Sequence, residues 1–393
     1  MKIGFLVPDN RDELRRYADP APYFGPAPTA LLEGLAEMSE CEVHIVCCLQ
    51  KPLPGPPKLA ENIYYHSVVV PKRGWMRGAY IGCVLAARRQ LQEIQPDLVH
   101  GQGTERYCAL AAVFAGFPNV LTIHGNMRRL AKISRARPFS FPWLAARLEG
   151  LAVPRSGGVI CLSRHTQEQV AGLAARTWIV PNAVDRLFFE TDAKALPAPP
   201  LPKQIVCVAN ILPLKNQVQL IRALDPLAER ERIELIFFGS AARGNSYVEE
   251  FFGLLADRPW CRFAGFADRS GLRSAYGRAT LLVLPTLEDN CPMAVLEAMA
   301  AGVPVAASRV GGIPDLICDG ADGLLFDPNQ IESIRAAVER LLGSEEERIK
   351  MAMSAKRKAL ERCHPRKVAA EHLEIYRQVI RGREPGLNRS VVP

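Results

Sequence analysis

The chain has 393 residues, of which 48% are hydrophobic and 23% are charged. These proportions are typical of a soluble globular protein and exclude the disordered class, while the length predicts two domains rather than one hydrophobic core. A net charge of +8 and a pI near 9.0 favour an anionic partner, which could be nucleic acid, a nucleotide or a lipid headgroup.

The eleven cysteines occur singly or as the pair Cys47-Cys48, mostly within apolar runs, and no Cys-x-x-Cys is present. We interpret them as reduced thiols rather than disulfides or metal ligands. The apolar run that follows Lys2 is too short for a signal peptide, and no run reaches the ~18 apolar residues of a membrane span. The sequence therefore predicts a cytoplasmic protein.

Strand and helix patterns alternate through the first third of the chain. Strands interleaved with helices indicate βαβ units and a parallel sheet. The predicted strands cover residues 3–7, 43–49, 63–70, 98–100 and 119–123, and the predicted helices cover residues 30–38, 80–94 and 107–115.

Two residues in the N-terminal half of the chain are candidate ligand contacts. His124 directly follows the strand 119–123 and precedes Gly125, at the carboxyl end of a strand, where ligands of α/β sheets bind. A structural role is the alternative for a lone histidine. Gly25 lies in the loop before the helix 30–38, where a simple turn is the alternative.

Residues 126–148 contain six basic side chains and no acidic one, with Phe139, Phe141 and Trp143 among them. Residues 72–77 repeat this mixture of basic and aromatic side chains. A solvated basic face is one interpretation, and no nucleic-acid recognition module accompanies the charge. Basic residues with aromatic neighbours favour an anionic membrane surface. The six are Arg128, Arg129, Lys132, Arg135, Arg137 and Arg147.

The second half opens a second sheet, with predicted strands at 205–209 and 234–238. Ser163 is a predicted helix N-cap in the segment that leads to it. The predicted organisation is an N-terminal domain over 1–180, a linker over 181–203, a second domain over 204–366, and a C-terminal helix and tail over 367–393 that return to the first domain. The linker is predicted to be stiff because of Pro197, Pro199, Pro200 and Pro202.

Residues 281–328 form a crossover unit of strand, loop, helix and strand. The strand 281–284 is closed by Pro285, Pro292 is placed at the first helical position, Gly302 ends the helix, and a strand covers 303–307. Between Asp289 and Arg309 the only charged residue is Glu297.

A carboxylate in such an apolar helix needs partners for its lone pairs. The backbone or a distant arginine is one candidate partner for Glu297, and a ligand hydroxyl is the other. The loop before the helix lies at the carboxyl end of a parallel strand, and a helix start suits phosphate oxygens. A hydroxyl-rich ligand that carries phosphate is a sugar nucleotide.

This stretch resembles the donor-site signature of retaining glycosyltransferases of the GT-B fold, of the family 4 type. The resemblance rests on Asp289, Glu297 eight residues later, and the segments Ala-Met-Ala-Ala-Gly-Val-Pro-Val, Gly-Gly-Ile-Pro-Asp and Asp-Gly-Leu-Leu-Phe. Thr-Ile-His-Gly, which contains His124, and the segment 210–216 are also similar to the family. Two positions depart from the family's pattern: Asp289 occupies the position where the family has a glutamate, and Asn210 the position where an arginine is usual.

The resemblance implies an α/β fold with two Rossmann-like domains that face each other across a cleft. It implies that Lys215 and the helix start bind the diphosphate, that Glu297 holds the ribose, and that Asp289 and His124 orient the transferred sugar. No metal or other cofactor is implied, and the absence of Asp-x-Asp agrees with this. The implied donor-site residues are Gly25, Asn210, Lys215, Glu288, Asp289, Asn290, Cys291, Pro292, Met293, Ala294 and Glu297.

The implied reaction is transfer of a hexose from a nucleoside diphosphate sugar to a lipid-linked glycan, lipopolysaccharide or exopolysaccharide precursor. Peripheral contact with the inner face of the plasma membrane would use Arg128, Arg129, Lys132, Arg135 and Arg137. His100, another strand-end histidine, is a weaker candidate for the acceptor side. The alternatives are another enzyme of the same fold, such as a sugar-nucleotide epimerase, and a sugar-nucleotide-binding protein without turnover.

Overall fold

The computed structural model describes residues 1–14, 16–191, 202–242 and 244–382, with the backbone alone at residue 13. The described chain forms two compact units. The first contains residues 1–183 and the C-terminal segment from Pro365, and the second contains residues 184–364. Pro197, Pro199 and Pro200 of the predicted linker, and the tail from residue 383, lie outside the described residues.

The first unit is built on a parallel sheet. Among the described residues it has eight strands in the order β3-β4-β2-β1-β5-β6-β7-β8, and only the β3–β4 pair is antiparallel. Because β1 lies between β2 and β5, the strand order reverses at β1. Numbered along the whole chain, the strands are β1 (Lys2–Leu6), β2 (Glu42–Leu49), β3 (Lys58–Ala60), β4 (Ile63–Val69), β5 (Leu98–Gln102), β6 (Asn119–Ile123), β7 (Val159–Cys161) and β8 (Thr177–Ile179).

The helices of the first unit connect these strands, and two of them begin where local chemistry favours a start. Ser163 caps α7, since its hydroxyl accepts a hydrogen bond from the Thr166 amide at 3.2 Å. Helix α2 begins four residues before the predicted start, with Pro26 in its first turn, where the missing N–H costs nothing. The helices are α1 (Arg11–Leu14), α2 (Pro26–Ala36), α3 (Ile81–Ile94), α4 (Tyr107–Phe114), α5 (Met127–Ile133), α6 (Phe141–Ala152), α7 (Arg164–Val170) and α16 (Pro365–Arg381).

Helix α16 packs against α2, and its buried face completes the core of the first unit. His100 belongs to this core: its side chain is fully buried and forms hydrogen bonds of 2.7 Å with the hydroxyls of Tyr376 and Thr122. Burial also holds the pKa of His100 well below its usual range. The suggestion that His100 faces an acceptor is therefore wrong, because its ring nitrogens serve the packing of α16 on β5 and β6.

The second unit contains another parallel sheet, whose six described strands follow the order β11-β10-β9-β12-β13-β14. Helices α9, α10 and α14 contribute to its core, where Phe237 and Phe251 meet edge to face with ring centroids 5.0 Å apart. The strands are β9 (Lys203–Val208), β10 (Ile233–Phe238), β11 (Cys261–Gly265), β12 (Leu281–Leu284), β13 (Val305–Ser308) and β14 (Leu324–Phe326). The helices are α8 (Arg186–Phe189), α9 (Gln217–Ala228), α10 (Ser246–Ala256), α11 (Arg269–Arg278), α12 (Met293–Ala301), α13 (Ile313–Leu316), α14 (Ile331–Gly343) and α15 (Glu345–Arg362).

Among the helices of the described residues, none combines the length and the apolar character that crossing a membrane would need.

Candidate donor site

The strand order of the second sheet brings two distant loops together. Strand β9 lies between β10 and β12, so the order reverses between β9 and β12. Ligands of open α/β sheets bind at such a switch point, outside the carboxyl ends of the strands. The two loops that leave this point are residues 209–216 after β9 and residues 285–292 after β12.

Lys215 and Asp289 meet at this switch point. The Lys215 Nζ atom donates a hydrogen bond to Asp289 Oδ2 at 2.6 Å, and both side chains are about one-fifth exposed. Asp289 thus neutralises the cation that the resemblance assigns to phosphate. A diphosphate could compete for this lysine, because the ammonium group is a mobile point charge on a flexible stem.

The backbone around Asp289 is held by the two glycines of the Gly-Gly-Ile-Pro-Asp segment. Gly312 donates its amide to the Asp289 carbonyl at 2.9 Å. Gly311 has φ +56°, and a Cβ atom on it would lie 2.0 Å from the same carbonyl oxygen. Only glycine fits this contact, so the Gly-Gly-Ile-Pro-Asp segment shapes the loop that presents Asp289.

Helix α12 begins one residue later than predicted. Pro292 has ψ 121° and is the N-cap, so the first helical residue is Met293. The amides of Val295 and Leu296 donate to the Pro292 carbonyl, whereas those of Met293 and Ala294 precede the helix's own hydrogen bonds. The helix start therefore presents backbone donors beside the loop that carries Asp289.

Glu297 lies one turn further along α12 and is only 5% exposed. Its Oε2 atom lies 3.5 Å from the hydroxyl of Tyr276, which is also 3.4 Å from the Ala294 carbonyl. Burial raises the pKa of Glu297 to about 7, and the Tyr276 hydroxyl and the charge of Arg269 counteract only part of that rise. The carboxylate is thus costly to ionise without a further hydrogen-bond donor.

The other predicted donor-site residues of the second unit lie in the same two loops. Asn210 is engaged locally, since its side-chain oxygen accepts from the Ser240 amide at 3.0 Å and its carbonyl accepts from Gln217. Glu288 is buried, and its carbonyl accepts a hydrogen bond from Thr286. Asn290 and Cys291 are buried between Asp289 and the N-cap of α12.

His124 and Gly25 belong to the first unit. The Nε2 atom of His124 lies 2.7 Å from Gln102 Oε1, so the ring donates there, and burial lowers the pKa of His124 to about 4. The imidazole is therefore neutral near pH 7. Gly25 is the N-cap of α2 with φ +84°, and its carbonyl accepts the Thr29 hydroxyl at 2.6 Å.

Sequence reasoning missed the residues that hold the segment after His124. Glu105 accepts the Gly125 amide at 2.7 Å. The buried Glu149 accepts the Thr104 hydroxyl at 2.6 Å and the Met127 and Arg128 amides at 3.0 and 3.2 Å. Burial raises the pKa of both carboxyl groups. One sequence signal could have found them: Glu105 and Glu149 are the acidic residues nearest to the basic stretch 126–148 on either side.

Comparison with known proteins identifies this pair of units. Anabaena HepE in complex with UDP superimposes with a TM-score of 0.70 at 18% identity, over 96% of this chain and 100% of HepE. The fold is therefore that of the GT-B class. The Glycosyltransferase Family 4 model matches residues 29–186, and the model of glycosyl transferases group 1 matches residues 188–358. The chain belongs to the GT-B glycosyltransferases of the group 1 and family 4 type.

Two relatives illustrate how far the sequence similarity extends. An uncharacterized glycosyltransferase of Methanocaldococcus jannaschii is 30% identical over 175 residues, which is 44% of this chain and 45% of the relative. The chain thus spans less than half the length of that relative. A D-inositol 3-phosphate glycosyltransferase of Nocardiopsis dassonvillei is 28% identical over 76% of this chain and 74% of the relative.

Proposed function

We propose that this protein transfers a hexose from a nucleoside diphosphate sugar to an acceptor hydroxyl with retention of configuration. The observation that carries the proposal is the Lys215–Asp289 pair at the switch point of the second sheet, beside the start of α12 and one turn from the buried Glu297. The UDP named for the HepE structure supports a nucleoside diphosphate as part of the donor.

In this proposal the diphosphate displaces Asp289 from Lys215. The Lys215 ammonium and the amides of Met293 and Ala294 then stabilise the negative charge that develops as the bond between the sugar C1 and the phosphate oxygen breaks. Asp289, released from the ion pair, accepts hydrogen bonds from hydroxyls of the sugar. The buried carboxylate of Glu297 accepts hydrogen bonds from the ribose hydroxyls, which supply the donors that it needs.

The acceptor oxygen would attack C1 on the face that the phosphate leaves. A bond forms between C1 and the acceptor oxygen, and the proton of the acceptor hydroxyl passes to the departing phosphate oxygen. This course needs neither a side-chain base nor a metal ion. His124, neutral near pH 7, would orient the sugar through hydrogen bonds while Gln102 holds its Nε2–H.

Thermal stabilisation by a panel of nucleoside diphosphate sugars tests the donor site. A donor present at 100 times its Kd should stabilise the folded protein by about 2.7 kcal/mol and raise its melting temperature by several degrees. Lys215→Ala should abolish most of that shift. Lys203→Ala is the control: Lys203 is the first residue of β9 and forms an ion pair with Glu231, so its removal should leave the shift unchanged. An absence of any shift, or equal shifts in both variants, would contradict the proposal.

We also propose that the acceptor is carried at an anionic membrane, as a lipid-linked glycan or a polysaccharide precursor. Arg128, Lys132, Arg135 and Arg137 are exposed, and Phe139 is 88% exposed between them and Trp143. An exposed aromatic ring among cations suits the interface of a bilayer, where each basic side chain contributes about 1 kcal/mol near anionic headgroups.

Vesicle co-sedimentation tests this surface. Binding to vesicles that contain phosphatidylglycerol should exceed binding to pure phosphatidylcholine vesicles. The double change Arg135→Ala with Arg137→Ala should weaken it by about 30-fold, from ~1 kcal/mol per residue. Lys350→Ala with Arg357→Ala removes the same charge from exposed positions of α15 and should leave binding unchanged. Equal loss in both doubles would mean that net charge alone is responsible.

A further inference from the structure

Helix α15 carries a row of exposed apolar side chains on its outer face. Its inner face is buried and includes Met351 and Ala355. On the outer face Ile349, Met353 and Leu360 are 39%, 69% and 49% exposed. Intervals of four and seven residues place these three on one side of the helix. Single exposed apolar residues are ordinary on a protein surface, whereas a contiguous row marks an interaction site.

Two charged residues complete this row. Glu346 and Arg357 are exposed, and neither side chain forms an ion pair with another residue of the described chain. By contrast, Lys358 of the same helix is engaged within the second unit, since its Nζ atom lies 2.8 Å from Asp322 Oδ2. The row is called the α15 stripe below, and it consists of Glu346, Ile349, Met353, Arg357 and Leu360.

The order of charges along the α15 stripe is complementary to itself. Glu346 precedes Ile349 and Met353, and Arg357 follows them. The two charged residues are about 16 Å apart along the helix, which is too far for an ion pair within one chain. A second α15 that runs antiparallel brings its arginine to this glutamate and its glutamate to this arginine. A parallel helix would instead bring like charges together, which is unfavourable.

We propose that this protein forms a twofold symmetric dimer through the α15 stripe, with a second copy of the chain as the partner. Twofold contacts join the same surface of both subunits, so the surface must be complementary to itself. Ile349 and Met353 of both copies form the apolar centre, and two pairs of Glu346 with Arg357 lie at its ends, as in interfaces with an apolar core and a polar rim. The dimer does not depend on the proposed function, because the stripe contains no donor-site residue.

The size of the α15 stripe predicts a weak dimer. Residues 346–360 extend over about 21 Å of helix. Two such faces bury less than the ~1,600 Å² of a standard stable interface, so we expect a Kd on the order of 10–100 μM. At lower protein concentrations, as in the vesicle experiment, the protein is a monomer, and the control changes on α15 do not act there through dimerisation.

Sedimentation equilibrium of the full-length protein tests the proposal, over concentrations from about one-tenth to ten times the expected Kd. At low salt the average mass should rise from that of a monomer towards twice that mass. Met353→Glu should abolish this rise, because it would bury a charge at the centre of the interface. Glu346→Arg and Arg357→Glu should each raise the Kd about tenfold, since each change brings like charges together at both ends.

The double change Glu346→Arg with Arg357→Glu exchanges the two charges. It should restore the Kd to within about threefold of the wild-type value, because opposite charges face each other again. Glu249→Arg is the matched control: Glu249 is also exposed and also lies in the first turn of a helix, α10. This variant should dimerise like the wild type. Unchanged melting temperatures confirm that each variant is folded.

Three results would overturn the proposal. The first is a wild-type protein that stays monomeric over the whole range of concentrations. The second is a dimer that Met353→Glu leaves intact, because another surface would then hold it together. The third is a double variant that dimerises no better than the single variants, because Glu346 and Arg357 would then not face each other across the twofold axis.

Discussion

Glu297→Gln is expected to stabilise the ligand-free protein and to weaken donor binding. The folded-state pKa of Glu297, about 7, lies above the ordinary value of 4.5. Between these two values the folded state holds a proton that the unfolded state has released, so the stability of the wild type falls as pH rises through this range. Above pH 7 the ionised, buried carboxylate costs the folded state on the order of 3 kcal/mol, which the neutral amide avoids.

The gain in stability should therefore depend on pH. Chemical denaturation at pH 8 should show Glu297→Gln to be more stable than the wild type, and at pH 4.5 the difference should vanish because both side chains are neutral. Donor affinity at pH 8 should fall about 10- to 100-fold, since an amide presents N–H groups where the carboxylate accepted hydroxyls. In the wild type, donor affinity should also fall below pH 7 as Glu297 is protonated.

Glu149→Gln is the matched control, because Glu149 is also a buried glutamate with a raised pKa. Its carboxylate already accepts three hydrogen bonds. In Glu149→Gln the new side-chain NH2 group would face one of these donors, so the protein should be destabilised by about 1–3 kcal/mol. If Glu297→Gln were also destabilising at pH 8, Glu297 would have a structural partner, and the assignment of a ligand hydroxyl would be wrong.

Gly311→Ala should destabilise the second unit by about 3–5 kcal/mol and abolish the donor-induced melting shift. The new Cβ would overlap the Asp289 carbonyl, and the left-handed backbone adds a further penalty. Relief of the overlap requires the Gly312–Asp289 hydrogen bond to break, which moves the carboxylate away from Lys215. The melting temperature should fall by roughly 10 °C.

Gly320→Ala separates the steric effect from the conformational one. Gly320 has φ +78°, and nothing lies within 4 Å of an added Cβ, so only the left-handed conformation is penalised, by about 1 kcal/mol. The donor shift should persist in this variant. Equal destabilisation by the two changes would show that the contact with Asp289 has no energetic weight.

Local structure was predictable wherever the responsible chemistry acts over a few residues. The strand Leu281–Leu284, the end of α12 at Gly302 and the cap at Ser163 were predicted from turn and cap residues and are confirmed. The starts of α2 and α12 were displaced, by four residues and by one. A proline is compatible with both the cap and the first turn, so its presence alone does not determine where helical dihedral angles begin.

The sequence by itself determined the family, the alternation of strands and helices, and the presence of one carboxylate in an apolar helix. Only the tertiary structure decided what these residues contact. Lys215 and Asp289 are 74 residues apart and meet because β9 and β12 are neighbours in the sheet. In the first sheet, the neighbouring positions of β5 and β6 and the packing of α16 bury His100 between Thr122 and Tyr376. Strand order depends on contacts between distant residues, and no local pattern in the sequence specifies it.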